Sequence, residues 1–302
     1  MFRLLWQKKA LILFLVVLVV LLPTAMSRPA QMMSKTVLTE ITIDKVGEQY
    51  TLTGKKAEIS SPSAQAGGLG GGGGAGSGAP TEKKELTASG PSVAAAINKM
   101  SATTEKEVSF AHCSSMVLGE GLAGENLADL LEFFLHRTEI HNNIALSWKE
   151  KGRATTLEKF YKDYMRSTST SILAEGPTKS AVFKHGKYAF TLDEAQTLAL
   201  DFALGRPIKE RIIIEADAPH VLKVLSNNTQ IKNNSVKVAV KMELESNPQA
   251  TDTELLTIKD AVKEKLEKDI KDTLEFCYGK NADVLLLYKL PTEFIVKVDA
   301  SV

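Results

Sequence analysis

The sequence predicts an α+β fold, in which an N-terminal membrane helix precedes two units of helices packed on a mixed β-sheet. Three observations favour this fold class: an apolar run near the amino terminus, strands of alternating apolar and polar residues, and amphipathic helices between the strands. The chain has 302 residues, 44% hydrophobic and 24% charged, which is enough for one large or two small domains. This composition excludes a disulfide-rich mini-protein and a fully disordered chain.

The charge distribution is uneven, although 37 basic residues nearly balance 36 acidic ones. Four basic residues, Arg3, Lys8, Lys9 and Arg28, precede the first acidic residue, Glu40. The rest of the chain is therefore slightly acidic. A nucleic-acid binder needs a concentrated basic face, so we expect no nucleic-acid partner.

Residues 1–27 are predicted to form a signal or anchor helix. The run Ala10–Leu22 is uninterrupted apolar sequence, and with Pro23–Met26 it covers about 25 Å of helix, near the lower limit for spanning a membrane. A cleaved signal peptide also fits, because Ala25 and Ser27 place small residues before a cleavage point. We favour the uncleaved anchor. In both cases the basic residues before the run favour a cytoplasmic amino end, so the body lies outside the cytoplasmic membrane.

The first unit is predicted over residues 35–150 and begins with two strands, Lys35–Asp44 and Gln49–Ile59. A Gly-rich loop over 60–80 follows, with nine glycines between Gly67 and Gly78. Such a segment buries too little apolar surface to offset its ordering entropy, so we expect a mobile surface loop. It is either a tolerated insertion or a flexible element that reaches a membrane partner.

The rest of this unit is predicted as an alternation of strands and helices. In order, these are a strand at Glu82–Ala88, a helix at Ser92–Met100, a buried strand at Val108–Leu118, a helix at Asn126–Arg137 and a short strand at Ile144–Trp148. The helix places an apolar stripe on one side, made of Leu127, Leu130, Leu131, Phe134 and Leu135. We interpret this stripe as core, with docking into the groove of a partner as the alternative.

A helical connecting region is predicted over 151–210, with helices at Thr156–Met165 and Asp193–Leu204. The last unit, 211–302, is predicted as β-α-β-β. Its elements are a half-buried strand at Val236–Leu244, a long helix after the capping-box pattern Thr251–Glu254, and closing strands at Val284–Tyr288 and Phe294–Val298. The stripe of the long helix is Ile258, Val262, Leu266, Ile270 and Leu274.

Residue types that carry chemistry are few, and we predict no catalytic, cofactor-binding or metal-binding residue. His112 and Cys113 are adjacent, but neighbours on a strand point to opposite faces, so we expect structural roles for both. A disulfide between Cys113 and Cys277 is an open alternative outside the membrane. His136 and His141 are five residues apart, which is not the spacing of a helical zinc site.

The segment from about Thr39 to Trp148 resembles a known family, the Ger(x)C family, or C subunit, of bacterial spore germinant receptors. The resemblance rests on ordered motifs: ITIDK at Ile41–Lys45, the Ser/Pro/Gly-rich loop, a helix at Val93–Asn98, FAHCSSMVLGE at Phe110–Glu120, and DLLEFFLHR at Asp129–Arg137 followed by Glu139 and Ile140. The motif FAHCSSMVLGE is similar to the family's F-G-H-x-x-V-x-V-x-G-E signature. The motif DLLEFFLHR, with Glu139 and Ile140, is similar to the family's LLDFLLRDPEIR. The Val/Lys strand and Lys/Glu-rich helix over Val236–Phe276 resemble the family's last domain.

The resemblance implies a non-enzymatic extracytoplasmic subunit without a cofactor, working beside two polytopic membrane subunits that sense nutrients and start germination. It places the chain at the bacterial cytoplasmic membrane, which in a spore is the inner membrane. The sequence departs from the family in lacking the lipid-attachment cysteine, since Met26–Pro29 stands where Cys-Trp-Asp begins the mature protein. The final domain is also shorter. The chain is thus identified as a divergent member, whose attachment would come from the helix.

The sequence is also compatible with two other functions. The first is a sporulation-envelope scaffold that self-associates through the β-α-β-β unit and forms large homo-oligomers. The second is an extracytoplasmic hydrolase whose site assembles from distant residues, including His112, and which requires a concave pocket with converging titratable groups.

Overall fold

The computed structural model describes residues 35–57 and 84–301, apart from 138, 142, 153–154, 167–169, 209–210, 217, 233–234, 248 and 288–293. The chain divides into two compact units, Met1–Ser114 and Ser115–Val302. Both contain strands and helices, which confirms the α+β prediction. The predicted helix 1–27 and the Gly-rich loop 60–80 lie outside the described residues. Within the described part of the chain, no helix combines the length and apolar character needed to cross a membrane.

The first unit is a small mixed sheet covered by one helix. Strands β1 (Lys35–Val46), β2 (Gln49–Lys56) and β3 (Glu85–Gly90) are antiparallel neighbours, and β4 (Glu107–Ser109) runs parallel to β1. Helix α1 (Val93–Thr104) begins after Ser92, whose side chain accepts a hydrogen bond from Ala95 N as an N-cap. The predicted strands and helix here are confirmed, with ends shifted by a few residues.

The predicted strand Val108–Leu118 is wrong as a single element. Strand β4 ends at Ser109, and the next strand starts only at Ser115. Between them the chain turns, because Cys113 N donates to Phe110 O at 2.9 Å and Ser114 N donates to Thr39 O at 2.9 Å. Residues 108–118 contain no glycine or proline, so the strongest sequence signals of a turn are absent and the turn depends on backbone bonds.

The second unit begins with parallel strands. Strands β5 (Ser115–Leu118), β6 (Ala145–Trp148) and β8 (Thr170–Glu175) run parallel in that order, and β9 (Lys179–Lys184) and β10 (Lys187–Leu192) extend the sheet antiparallel from β8. The short β7 (Thr155–Thr156) pairs with β6. Helices α2 (Leu127–Leu135) and α3 (Leu157–Tyr164) confirm the predicted helices at 126–137 and 156–165.

The prediction of a helical connecting region over 151–210 is wrong for residues 170–192, which form β8, β9 and β10. Buried Thr170, Ser171 and Ser180 replace apolar residues in these strands, so the alternation that indicates a strand is weakened. The predicted helix at 193–204 is confirmed as α4 (Glu194–Ala203), which starts with a capping box between Asp193 and Gln196. The proposed domain limits at 150 and 210 stay predictions.

The second sheet of this unit has the order β11 (Arg211–Glu215), β12 (Pro219–Lys232), β13 (Ser235–Leu244) and β14 (Ile295–Ser301), with β14 parallel to β13. Helices α4 and α5 (Asp252–Gly279) pack on one face of it. The capping box Thr251–Glu254 and the buried stripe of α5 are confirmed, and so are the strands at 236–244 and 294–298.

The predicted β-α-β-β order needs two corrections. Residues 284–287 form a turn and coil rather than a strand, and Tyr288 lies outside the described residues. Two strands, β11 and β12, were missed. In β12 the positions facing the helices include Asn227 and Thr229, which donate hydrogen bonds to the carbonyl of Phe202 at 3.4 and 2.7 Å. These polar residues donate hydrogen bonds to a carbonyl group near the end of α4. They therefore interrupt the alternation of apolar and polar residues that would indicate a strand.

Candidate functional site

His112 and Cys113 lie in different environments within the first unit. They occupy the turn after β4, so the argument that placed them on opposite faces of one strand is wrong. The His112 side chain is exposed, whereas Cys113 is only 4% exposed. Cys113 is thus a core residue, which agrees with the structural role predicted for it.

Cys277 belongs to the core of the second unit, on the buried side of α5. The structure contains no disulfide between Cys113 and Cys277. Burial raises the pKa of the Cys277 thiol to about 12, with an opposing contribution from the charge of Lys280. Near neutral pH this thiol therefore stays protonated and is a poor nucleophile.

The two histidines considered for metal binding are both exposed. His136 Nε2 lies 3.4 Å from Glu132 Oε1 one turn earlier on α2, and His141 follows in a loop. In the described parts of the chain, no three His, Cys, Asp or Glu side chains are grouped so that they could hold a metal ion.

The apolar stripe of α2 packs into the protein, as its interpretation as core predicts. Leu127, Leu131 and Phe134 are fully buried, and Leu130 and Leu135 are half-buried. Most of this face is therefore already covered within the chain. This arrangement disfavours the alternative in which the helix docks into the groove of a partner.

Three charged side chains meet where the parallel strands of the second unit end, and we call them the strand-end cluster. Glu120 comes two residues after β5, Lys149 directly follows β6, and Glu175 is the last residue of β8. Lys149 Nζ lies 2.9 Å from Glu120 Oε1 and 3.4 Å from Glu175 Oε1. The carboxyl ends of parallel strands are a common place for functional groups, which makes this cluster the candidate site.

A hydrogen-bond chain extends the cluster toward an aromatic group. Thr191 Oγ1 donates to Glu175 Oε2 at 2.5 Å and lies 3.0 Å from the hydroxyl of Tyr188. The Tyr188 ring in turn stacks on the ring of Trp148, with centroids 5.5 Å apart and an angle of 14° between the planes. The polar chain on the strand ends is thus fixed to the core through Trp148.

The backbone at this edge is closely constrained. Lys149 adopts a left-handed conformation with φ of 57°, and its N–H donates to Leu118 O at 2.8 Å. A Cβ atom on Gly152 would lie 1.9 Å from the carbonyl oxygen of Gly176, so only glycine permits this approach between the segments after β6 and β8. These contacts fix the backbone from which the Lys149 side chain extends.

The charges of the cluster stabilise one another. The hydrogen bond to Glu120, and then the negative charge of Glu175, raise the pKa of Lys149 above its ordinary value, against the opposing effect of burial. Lys149 is therefore an ammonium ion at neutral pH rather than an amine nucleophile or base. The arrangement is suited to fixing the strand ends in place.

Replacing Lys149 by methionine is expected to lower the free energy of unfolding by about 1–3 kcal/mol, because it leaves the largely buried Glu175 without its cation. Urea unfolding of the full chain followed by circular dichroism measures this change. Lys187→Met, at an exposed lysine of β10, is the matched control and should cost little. Adding Glu175→Gln to Lys149→Met should restore part of the loss. A loss no larger than that of the control would contradict the role assigned to the cluster.

The sequence analysis predicted none of the three members of the cluster. Glu120 stands in the Gly-Glu end of the motif used for the family resemblance, but no role was predicted for it. Lys149 carried a signal that could have been used, since it follows a predicted strand directly. Glu175 carried none, because the strand it ends lay in the region predicted to be helical.

Comparisons with known proteins place the chain in a family. Residues 35–172 match the family described as "Spore germination protein N-terminal domain", and residues 178–290 match "Spore germination B3/ GerAC like, C-terminal". The crystal structure of the GerBC protein is similar at 14% sequence identity, over 86% of this chain and 95% of that one, with a TM-score of 0.48. Comparison with the curated proteins finds no match. Because the two matches together span most of the sequence, the chain belongs to the GerAC-like family of spore germination proteins.

Proposed function

We propose that this chain is a non-catalytic, membrane-associated component of a germinant receptor complex, acting on the extracytoplasmic side through protein contacts. The observation that carries the proposal is the pair of consecutive family matches, over residues 35–172 and 178–290. Membership in a spore germination family assigns the process. The placement outside the membrane comes from Arg3, Lys8 and Lys9 before the apolar run Ala10–Leu22.

The direction of the pKa shifts supports a non-catalytic role. Burial raises the pKa of Cys277, and burial followed by the hydrogen bond to Asp283 raises that of Tyr278. The pKa of Lys149 is raised as well, mainly by its hydrogen bond to Glu120. In each case the shift holds the group in the protonated form, which is not nucleophilic at neutral pH. A thiol, phenol or amine that acts as a catalytic nucleophile or base needs a lowered pKa instead.

Anchoring would follow from the helix predicted for residues 1–27, since the sequence has no cysteine there to accept a lipid. A single apolar segment with basic residues on its cytoplasmic side is sufficient for stable insertion. The partners proposed are polytopic membrane subunits of the same receptor. Neither a nucleic acid nor a small-molecule cofactor is part of the proposal.

The test is extraction of the protein from spore membranes in a mild detergent, followed by mass spectrometry of its partners and of its amino terminus. We expect polytopic subunits in the same complex and an intact Met1 end. The matched control is a variant in which Val16→Glu and Val17→Glu interrupt the apolar run; it should leave the membrane fraction.

Two results would contradict the proposal. Recovery of the protein only with copies of itself, as large oligomers, would favour the self-associating envelope scaffold. Recovery alone, with residues 1–27 removed, would favour a secreted protein. If the secreted form hydrolysed spore-envelope material and lost this activity in a His112→Ala variant, the hydrolase hypothesis would replace the receptor role.

A further inference from the structure

Strand β11 forms one edge of the second sheet. It pairs with β12 on one side, and in the part of the chain that the structure describes no strand pairs with its other side. An edge strand presents unpaired N–H and C=O groups, which proteins usually protect. The opposite edge, β14, has such protection, since Val298 N donates a hydrogen bond to Glu267 Oε1 of α5 at 2.9 Å. Among the described residues, no side chain bonds the outer backbone groups of β11.

The hydrogen bonds of β12 show which groups of β11 face the open edge. Val221 O accepts a hydrogen bond from Glu245 N at 2.9 Å, so the backbone groups of Val221 point toward β13 and away from β11. Ile213 is paired with Val221, so its own backbone groups point away from β12. This direction repeats every second residue. The N–H and C=O groups of Arg211, Ile213 and Glu215 therefore face the open edge.

The side chains of these three residues share the face of the sheet that is turned away from the helices. Ile212 and Ile214 are buried in the core with α5, whereas Arg211, Ile213 and Glu215 are exposed. The Ile213 side chain is 61% exposed, so most of this apolar group contacts water in a single chain. The exposed face of β11 thus presents a positive, an apolar and a negative side chain in that order.

This order is complementary to itself. If two copies of β11 pair antiparallel about a two-fold axis at Ile213, each Arg211 lies directly opposite Glu215 of the second copy. Ile213 lies opposite its own copy, and Val221 on β12 extends the apolar row on both sides. Opposite charges and apolar side chains at directly paired positions stabilise a sheet. The same register also satisfies the outer backbone groups, with two hydrogen bonds in each of the three residue pairs.

The Arg211 guanidinium can make this contact without giving up its present partner. Within its own chain it donates through Nε to Glu245 Oε2 and, at 3.5 Å, through Nη2 to Glu245 Oε1. A guanidinium has five N–H donors, and this side chain is 68% exposed, so donors remain for a second carboxylate. The residue paired with Arg211 on β12 is Lys223, a like charge. A second carboxylate beside Arg211 is therefore favourable.

We propose that two copies of this chain pair through β11, antiparallel and centred on Ile213, and join their four-stranded sheets into one continuous sheet. Both copies use the same residues, so the contact closes at two and gives a symmetric dimer. The paired segment is short, so we expect a reversible dimer with a Kd on the order of 10 µM. This inference does not depend on the receptor role proposed above. It also differs from the envelope scaffold, which requires large oligomers.

The first test is disulfide cross-linking of the full chain in a nonionic detergent, with diamide as the oxidant. Residues of a hydrogen-bonded antiparallel pair have Cα atoms about 5.5 Å apart, within the range of a disulfide. Ile213→Cys should therefore give a covalent dimer on a non-reducing gel. The matched control is Lys223→Cys, on the same exposed face of β12. Its two copies would be separated by three strand spacings, about 14 Å, so it should not cross-link. The unaltered chain should not cross-link either, because Cys113 and Cys277 are buried.

The second test is sedimentation equilibrium of charge-reversal variants in the same detergent. Glu215→Arg places an arginine opposite Arg211 of the second copy at both ends of the contact. It should raise the Kd of the dimer about tenfold, because two attractive pairs become repulsive. Asp299→Arg makes the same change of charge on the opposite edge strand and should leave the Kd unchanged. Both positions are exposed, so both variants are expected to fold, which thermal unfolding checks.

Each outcome decides the proposal. Cross-linking through position 213 but not 223, together with weakening by Glu215→Arg alone, supports the dimer. The proposal is overturned if the two cysteine variants cross-link equally, or if the chain is monomeric at about 100 µM. Weakening by Asp299→Arg alone would assign the contact to β14. Cross-linking of position 213 in spore membranes only to a different protein would assign the edge to a strand of that protein, and would also overturn the proposal.

Discussion

Replacing Trp148 by alanine is expected to lower the free energy of unfolding by about 3–5 kcal/mol, the usual cost of removing a large buried aromatic side chain. Trp148 is the last residue of β6 and is fully buried. Its ring stacks on Tyr188 and meets the edge of Phe183, whose ring centroid is 5.1 Å away. Phe183 also contacts Phe160 of α3, so the Phe183 ring connects Trp148 of the sheet to this helix.

Replacing Trp148 by alanine should also weaken the hydrogen bonds of the strand-end cluster. Trp148 supports Tyr188, and the Tyr188 hydroxyl lies in the hydrogen-bond chain through Thr191 to Glu175. Urea unfolding followed by circular dichroism measures the change. Trp148→Phe is the matched variant and should cost less than half as much, because it keeps an aromatic ring and removes an indole N–H that is buried without a hydrogen-bond partner. Equal losses in the two variants would contradict this expectation, because they would show that a phenyl ring keeps none of the stabilising contacts of the indole.

Stability should fall as the pH rises above about 8.5, and Cys277 should be the main cause up to about pH 10. The thiol of the unfolded chain titrates near its ordinary pKa, whereas burial raises the pKa of Cys277 in the folded chain to about 12. Above the unfolded pKa the folded state therefore binds more protons than the unfolded state. The contribution of the thiol is complete below that pKa and is lost with rising pH by about 1.4 kcal/mol per unit.

Unfolding in urea at a series of pH values tests this expectation. Cys277→Ala should remove most of the slope between about pH 8.5 and 10, since the alanine has no proton to lose. Tyr278→Phe is the control at the neighbouring position. The pKa of Tyr278 is also raised, by burial and by its hydrogen bond to Asp283, but an unfolded tyrosine titrates only near pH 10, so this variant should keep the slope. If the dependence of stability on pH were unchanged in Cys277→Ala, another titratable group would be its cause.

The grouping of charged residues at the candidate site could not be predicted from the sequence. Glu120 lies in a motif, since Gly119 and Glu120 end the segment that resembles the family, but the motif predicted no role for it. Its partner Lys149 is 29 positions away in the chain and meets it only because β5 and β6 are parallel neighbours. Glu175 joins them through the pairing of β6 with β8. Pairings between strands distant in sequence are not encoded in local patterns.

The pairing of Lys237 with Lys297 depends in the same way on strand order. Lys237 and Lys297 are ordinary exposed residues of two alternating strands when the sequence is considered alone. The parallel pairing of β13 with β14 places them side by side. Nothing near either residue in the sequence indicates which strand will be its neighbour.

The sequence by itself determined the α+β class, the helices, the caps of α1 and α5, and the resemblance to the germination family, because capping and amphipathic periodicity are local properties. It also determined which faces of α2 and α5 are buried. Only the tertiary structure decided that residues 170–192 form strands, that the chain turns at His112, and that β12 places Asn227 and Thr229 at the end of α4. In each of these places polar groups are satisfied by backbone partners distant in sequence, so the residue pattern differs from that of an ordinary strand or turn.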